Sequence, residues 1–285
     1  MRRGGILPWL YMGPALLFLI FFLVYPTLNT IYLSFLDAKS EGFVGIENYV
    51  YAFTSDEMLT AFKNNLIWLI LFTGCTVLFG LIIAVLVDRV RYEPFAKAVI
   101  FLPQAISFVG AGVIWRFVYD YRPQLGLLNM LLSIFPNLKA VGWLVNPDTA
   151  TFALIIVAIW MWAGFAMTIL SAALKNVPAE ILEAARIDGA NEWQTFWWVT
   201  VPMISSTIAV VTTTMVINVL KVFDVVYVMT AGRYKTNVVA NQMYKELYIN
   251  HQHGRASAIA VILLAALVPA MMINIRRFRE QEAIR

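Results

Sequence analysis

Long apolar runs alternate with shorter polar segments along this chain of 285 residues. A helix needs about 20 consecutive apolar residues to cross the hydrocarbon core of a bilayer, and on that criterion the chain has about six candidate spans. They lie at about residues 10–35, 66–87, 98–119, 150–174, 201–229 and 256–275. We therefore expect an all-α integral membrane protein in which residues 1–285 form a single transmembrane domain.

The composition agrees with this pattern and excludes one class of partner. Hydrophobic residues make up 61% of the chain and charged residues only 13%, whereas soluble domains carry about 25% charged residues. The net charge of +4 does not indicate nucleic-acid binding, because that function needs a basic stripe. Here the basic residues are scattered or lie at the ends of spans, where they contact lipid headgroups.

The distribution of lysine and arginine predicts the orientation. Short cytoplasmic loops carry an excess of these residues. With both termini inside, eleven of them lie on the inner side, including Arg2, Arg3 and Arg285, and nine lie on the outer side. We therefore expect a multi-pass protein of the bacterial plasma (inner) membrane with both termini in the cytoplasm.

The segment between the fourth and fifth spans, residues 175–202, is unusually polar for this chain; we call it the coupling segment. Proline is tolerated in the first turn of a helix, so the pattern predicts a helix that begins at Pro178, with Asn176 as a possible cap. Gly189 is free to adopt the left-handed conformation that ends helices. The first predicted helix therefore ends at Asp188.

A second short helix is predicted directly after this glycine. Asn191 and Gln194 have the spacing of a capping box, in which each side chain bonds the backbone of the other residue. Trp193, Phe196 and Trp197 follow at i, i+3 and i+4, so their rings share one face. Such a face suits the interface between membrane and water. By periodicity alone, the segment could equally be an ordinary amphipathic loop.

The coupling segment resembles the EAA motif of permease subunits in ABC importers. The matching positions are Glu183, Ala184, Ala185, Gly189, Val199, Val201 and Pro202. The resemblance implies that the helix docks on an ATP-hydrolysing subunit. It assigns Glu183 to that contact and Gly189 to the turn. With Asp188, Ala184, Ala185 and Pro202, these residues form the predicted ATPase-coupling set.

The similarity extends over nearly the whole chain. The stretches FVGIENYV, LPQAISFVGAGVIWRFVY, FDVVYVMTAG and GRASAIAVIL resemble carbohydrate permeases of the maltose-transporter class. The basic tail is similar to that of the MalF-like permease type. The sequence near VVANQMYKELY and the tail resemble the branch of this family that handles α-glucosides and related osmolytes. One departure is Ala231-Gly232-Arg233, where the family usually has Gly-Gly-Pro.

This resemblance implies the partners and the mechanism. An external solute-binding protein, periplasmic or lipid-anchored, would deliver a di- or oligosaccharide or a glucoside. A dimer of ABC ATPases would bind ATP and Mg, and a second homologous, MalG-like permease would complete the pore in the membrane lipid. The chain itself would have no catalytic residue, no cofactor and no metal.

Polar residues in the fifth predicted span are candidates for the substrate path. Asn218, Lys221 and Asp224 recur at every third position, near one helix face. Lys221 and Asp224 could line a sugar cavity or neutralise each other against a neighbouring helix, and the sequence favours neither alternative. Further candidates are aromatic side chains that stack on sugar rings and a polar residue beside Pro103: Trp160, Trp162, Phe223 and Gln104.

Other functional classes find little support in the sequence. The chain lacks a GxxxxGK[ST] loop, so it is not an ATPase on its own. His251 and His253 form a His-x-His pair without a third ligand, so we expect no metal site. The alternative function is an ion-coupled secondary transporter in which Lys221 and Asp224 carry the ion. Such carriers are usually built from internal repeats, and no convincing repeat occurs here.

Overall fold

The computed structural model describes residues 6–135 and 137–283. The regular secondary structure of the described residues is helical, apart from one isolated β-bridge between Leu36 and Phe43, so the all-α class is confirmed. Arg2, Arg3 and Arg285, which contribute to the predicted orientation, lie outside the described residues. The helices are α1 (Ile6–Leu19), α2 (Tyr25–Leu33), α3 (Glu47–Thr54), α4 (Asp56–Val87), α5 (Glu93–Ala105), α6 (Phe108–Val118), α7 (Leu127–Leu132), α8 (Ala150–Lys175), α9 (Ala179–Ile187), α10 (Glu192–Gln194), α11 (Val201–Met203), α12 (Ser205–Leu220), α13 (Asp224–Thr230), α14 (Val239–Tyr248) and α15 (His253–Ala283).

Among the described residues, three helical segments are long and apolar enough to cross a membrane: Tyr11–Leu33, α4 and α8. Two bent pairs raise the number to five if each pair counts as one span. The third predicted span, 98–119, is one of them, because α5 and α6 meet at 98°. The fifth, 201–229, is also not continuous: Glu192–Met203 and α12 meet at 68°, and α12 ends at Leu220. The sixth predicted span lies within α15, whose apolar part, His253–Pro269, does not reach the length of a membrane span, so the described residues support three to five of the six predicted spans.

Local chemistry explains the break between α5 and α6. Pro103 has no N–H to donate and crowds the carbonyl of the preceding turn, which weakens the helix. Ile106 then adopts an extended conformation with ψ 138°. Ser107 starts the new helix, because its Oγ accepts a hydrogen bond of 3.1 Å from the backbone N–H of Gly110. The sequence alone did not decide whether the helix breaks near Pro103 or whether Gln104 and Ser107 form hydrogen bonds with a neighbouring helix.

Two π-helical turns, Ile20–Val24 and Thr195–Thr200, each lie just before a proline. Pro26 and Pro202 cannot donate the usual hydrogen bond to the carbonyl four residues earlier. In both turns, the residue before the proline instead donates its N–H to the carbonyl five residues back. The wider turn accommodates the proline without ending the helical path.

The chain divides into two compact units, of which the first comprises Met1–Leu59 and Gln242–Ala265. Its interior contains a polar cluster beside apolar residues such as Met58 and Ile259. The OH group of Tyr51 donates a 2.8 Å hydrogen bond to Glu246, whose side chain is only 1% exposed. The guanidinium of Arg255 lies 4.2 Å from the centre of the Tyr51 ring. Burial, followed by the hydrogen bond to Glu246, raises the pKa of the Tyr51 phenol.

The second unit comprises Thr60–Asn241 and Ala266–Arg285, and its core is built around α8. Trp68 of α4, Leu154 of α8 and Met215 of α12 are almost completely buried in one apolar cluster. Helix α5 crosses α8 at Gly164, where a Cβ atom would overlap the backbone of Ile100. The absence of a side chain at this position therefore allows the two helices to pack closely.

Candidate coupling and transport site

Helix α9 of the coupling segment ends in a Schellman motif. The backbone N–H of Ala190 donates to the carbonyl of Ala185 at 3.0 Å, and that of Gly189 donates to Arg186 at 3.1 Å. These are the two hydrogen bonds that define the motif. Gly189 has φ +87°, the left-handed conformation that the sequence predicts. The prediction that the helix ends at this glycine is therefore confirmed.

The start of α9 differs from the prediction in detail. Pro178 is the N-cap residue, with an extended ψ of 132°, and the helix begins at Ala179 instead of Pro178. Asn176 does not cap α9; it is the C-cap of α8, and its backbone N–H bonds Ala173 at 3.2 Å. The restriction of the residue before proline to extended conformations explains why the chain leaves α8 before α9 starts.

None of the residues of α9 is buried by the rest of the chain. Glu183, Ala184 and Asp188 are exposed, and Ile187 is 85% exposed. Helices of this length gain most of their stability in proteins from packing of an apolar face. A short helix that presents a large isoleucine and small alanines beside carboxylates is therefore suited to contact another protein.

The second half of the coupling segment matches the sequence prediction. Asn191 and Gln194 form the capping box, with both reciprocal hydrogen bonds at 2.9 Å. The rings of Trp193 and Trp197 lie 5.6 Å apart, and those of Phe196 and Trp197 lie 5.3 Å apart. This aromatic turn then passes through the π-helical turn to Pro202 in α11.

A cluster of charged residues lies where α4, α5 and α8 meet, and sequence reasoning missed it. The Lys97 ammonium lies 2.7 Å from the carboxylates of both Asp88 and Glu93. Ser171 accepts a hydrogen bond from Lys97 and donates one of 2.7 Å to Asp88. Lys175 adds a second ion pair to Glu93. The cluster thus fixes the end of α8 from which the coupling segment begins.

A cavity of about 280 Å³ brings together most of the predicted substrate-path residues. Five of the seven candidates line it: Trp162, Asn218, Lys221, Phe223 and Asp224. The sequence prediction missed three further aromatic residues of its wall, Trp68, Phe72 and Phe108. These three residues are indistinguishable from ordinary core positions in the sequence, because apolar aromatic side chains also fill helix interfaces.

The polar wall of this cavity forms where the helix is interrupted between α12 and α13. Lys221 is the C-cap of α12, and Asp224 is the first residue of α13. Irregular backbone at membrane depth is tolerated where it lines a cavity. Lys221 and Asp224 are both exposed, and they form no ion pair with each other in the described residues. The alternative in which they neutralise each other directly is therefore not found.

The two remaining candidates lie outside this cavity. Trp160 packs edge-on against Trp115, with ring centres 5.6 Å apart. Gln104, just after Pro103, has a buried side-chain oxygen without a hydrogen-bond partner in the described part of the chain. Neither residue lines the cavity that contains Asn218.

A second cavity, of about 430 Å³, lies beside the loop that follows α6. Its wall contains Arg116, Asp120 and Trp143. The carboxylate of Asp120 pairs with Arg122 at 2.9 Å. Hydrogen bonds from the guanidinium of Arg122 and from its backbone N–H lower the pKa of the Asp120 carboxyl group to about 2.

Comparison with known proteins places this architecture in a family. Residues 76–278, more than half of the chain, match the family described as binding-protein-dependent transport system inner membrane component. The osmoprotective compounds uptake permease protein GgtC of Synechocystis sp. is 59% identical over 280 residues, which cover 97% of this chain and 100% of that protein. The alpha-glucoside transport system permease protein AglF of Rhizobium meliloti is 45% identical, covering 96% of this chain and 82% of that protein.

A solved structure has the same fold. A chain in the crystal structure of a bacterial ABC transporter involved in the import of the acidic polysaccharide alginate superposes with a TM-score of 0.78. The two chains are 26% identical, and the alignment covers 96% of this chain and 95% of that one. The chain belongs to the family of inner-membrane components of binding-protein-dependent transport systems, and it is a non-catalytic permease subunit of an ABC importer.

Proposed function

We propose that this permease carries a small glucoside, of the α-glucoside or osmoprotectant type, into the cell. The names of two relatives, an osmoprotectant permease and an alpha-glucoside permease, support this substrate class, because both relatives align with nearly the whole of this chain. The cavity next to the break between α12 and α13 has suitable chemistry. Asn218 and Asp224 offer polar groups to sugar hydroxyls, and Trp162 offers an aromatic face. Membership of the ABC family argues against the alternative of an ion-coupled carrier.

Helix α9 is the proposed point of contact with the ATPase, and Glu183, Ala184, Ala185 and Asp188 provide the contact surface. The observation that carries this assignment is that no residue of α9 is buried by its own chain. Gly189 ends the helix, and Pro202 follows the aromatic turn that leads into α12. A movement of the ATPase against α9 is then transmitted to the membrane helices through rigid turns.

The proposed assembly contains one copy of this MalF-like chain, a homologous MalG-like permease, two ATPase subunits that bind ATP and Mg, and an external solute-binding protein. Residues 1–285 act as one transmembrane domain of about six spans. Both termini and the coupling segment lie on the cytoplasmic side, as the excess of basic residues in the inner loops suggests.

Uptake by proteoliposomes tests this proposal. The reconstituted complex, with ATP inside and binding protein outside, should accumulate a radiolabelled α-glucoside or glucosylated osmolyte. Omission of either ATP or the binding protein should abolish uptake, whereas an uncoupler at constant ATP should have no effect. Uptake that collapses with the uncoupler would contradict the mechanism. Uptake of an unrelated solute in place of the glucosides would contradict the substrate class.

The cavity assignment has its own test. Asp224→Asn and Lys221→Met should raise the substrate concentration needed for half-maximal uptake, while the stimulation of ATP hydrolysis by the ligand-free binding protein stays unchanged. Trp160→Phe serves as the control, because Trp160 lies outside the cavity. Equal effects in all three variants would contradict a substrate site in this cavity.

A further inference from the structure

A cavity of about 800 Å³ in the second unit lies between the C-terminal half of α4 and the coupling segment. Neither the substrate path nor the proposed ATPase contact uses it. One wall is formed by Leu78, Ile82 and Leu86, which follow one another at intervals of four residues on one face of α4. These side chains are 48%, 44% and 61% exposed. An apolar surface of this kind requires an apolar occupant.

The opposite wall is formed by the aromatic turn of the coupling segment. Trp193 and Trp197 line the cavity and are 70% and 41% exposed. Tryptophan side chains are enriched at the level of the lipid headgroups, because one edge of the ring is polar and the rest is apolar. The two walls together therefore resemble the boundary between acyl chains and headgroups.

The mouth of the cavity carries a positive charge. Three basic residues line it, Arg89, Lys175 and Arg186, together with two acidic residues, Asp88 and Glu192. The net charge of this lining is therefore +1. Lys175 pairs with Glu93, and Arg186 pairs with Glu192 at 2.9 Å. Arg89 is exposed and has no ion pair in residues 6–135 and 137–283. Its guanidinium is thus available to an anion, and its planar group of donors suits a phosphate.

A buried hydroxyl group gives a second, independent indication of a ligand. Thr195 lines the same cavity and is only 4% exposed. Its Oγ1 has no hydrogen-bond partner among the described residues. Buried polar atoms normally have a hydrogen-bond partner, so a buried hydroxyl without one points to a partner outside this chain. A phosphate or ester oxygen of a lipid can accept this hydrogen bond once the Thr195 side chain rotates its hydroxyl towards the cavity.

We propose that an anionic phospholipid occupies this cavity. One of its acyl chains lies between the apolar face of α4 and the rings of Trp193 and Trp197, and its phosphate binds Arg89. The aliphatic wall formed by α4 offers a sugar no hydrogen-bonding group, and a neutral lipid leaves the positive charge of the mouth uncompensated. Anionic lipids are abundant in the cytoplasmic leaflet. The inference rests on the proposed cytoplasmic position of the coupling segment.

Lipid retention by the purified, assembled transporter tests this site. We would titrate the complex in detergent with phosphatidylglycerol or phosphatidylcholine and count bound lipids by native mass spectrometry. The wild type should retain phosphatidylglycerol in preference to phosphatidylcholine, and Arg89→Ala should weaken that retention about fivefold, the typical contribution of one basic residue. Arg89→Lys should restore most of it. Arg91→Ala is the matched control, because it removes the same charge from the same loop outside the cavity.

Two further arms separate the possible occupants. A photoreactive amino acid at Ile82 should form an adduct with the mass of a phospholipid in native membranes; an adduct with another protein chain would overturn the proposal. Inorganic phosphate at 50 mM should not displace phosphatidylglycerol, because it lacks an acyl chain. Displacement by phosphate, or equal losses for Arg89→Ala and Arg91→Ala, would also overturn it. Because lipid retention requires no transport, failure of the glucoside assay with normal retention would contradict only the proposed function.

Discussion

Substitution of Gly189 tests the mechanical role of the coupling segment most directly. Its φ of +87° is accessible to glycine, but a residue with a Cβ pays about 1–2 kcal/mol for a left-handed conformation. No atom lies within 4 Å of the position that a Cβ would take, so crowding adds nothing. Gly189→Ala should therefore lower the ratio of the native turn to other conformations about 5- to 30-fold. Aspartate tolerates the left-handed conformation better than alanine does, but Gly189→Asp also places a negative charge next to Asp188 at the C-terminal end of the helix, which disfavours negative charge.

The expected phenotype is loss of coupling without loss of the protein. Because α9 has no buried residue, the transmembrane core should still fold, and the amount of permease in the membrane should stay near that of the wild type. Uptake, and ATP hydrolysis stimulated by the loaded binding protein, should fall for Gly189→Ala, by at most about 30-fold. Gly74→Ala is the control, because Gly74 also has open space around it but lies inside α4 without a positive φ. Normal stimulated hydrolysis in reconstituted Gly189→Asp would refute the reasoning.

Further predictions concern the contact surface, the cavity, the charged cluster and the loop after α6. Glu183→Lys should abolish uptake while the permease still inserts, as measured by transport and immunoblotting of membranes; normal uptake would exclude this residue from the ATPase contact. Asn218→Ala should raise the half-saturating substrate concentration about 2- to 10-fold, the value of one hydrogen bond, with little effect on basal ATP hydrolysis. Lys97→Met removes the ammonium that pairs with two partly buried carboxylates, which keep only Ser171 and Lys175 as partners among the described residues, so the thermal midpoint should fall by an amount equivalent to about 1–3 kcal/mol. The folded pKa of Asp120 is about 2, below its ordinary 3.8, so its contribution to stability is present above pH 3.8 and is lost as the pH falls through 2. Asp120→Asn should remove this acid-dependent part of a thermal unfolding profile, and an unchanged profile would contradict it.

Local features of the sequence were sufficient for most of the coupling segment. The hydrogen bonds that end α9 at Gly189 and those of the capping box at Asn191 join residues no more than five positions apart. Such short-range interactions depend on residue type and spacing alone. The cap of α9 was the exception. Asn176 and Pro178 compete for the same boundary, and the outcome depends on where α8 ends.

The interruptions of the spans were only partly foreseeable. Pro103 signals a weak point in the third predicted span, but membrane helices often tolerate proline. The observed bend of 98° depends on the extended conformation of Ile106 and on the cap formed by Ser107. Hydropathy averaged over about 20 residues does not detect a break of two residues, and so the third and fifth spans were predicted as continuous.

The sequence by itself determined that the chain is helical and apolar, and that a glycine-terminated helix lies between two spans. Only the tertiary structure decided that Trp162, and not Trp160, lies beside Asn218. Trp160 and Trp162 are two positions apart in the sequence, so their side chains point in directions about 200° apart around the helix axis. The packing of α8 decides which of the two faces the cavity. The contacts of Ser171 and Lys175 in α8 with the charged residues among positions 88–97 were likewise decided by tertiary structure, because no local pattern reports contacts between residues more than 70 positions apart along the chain.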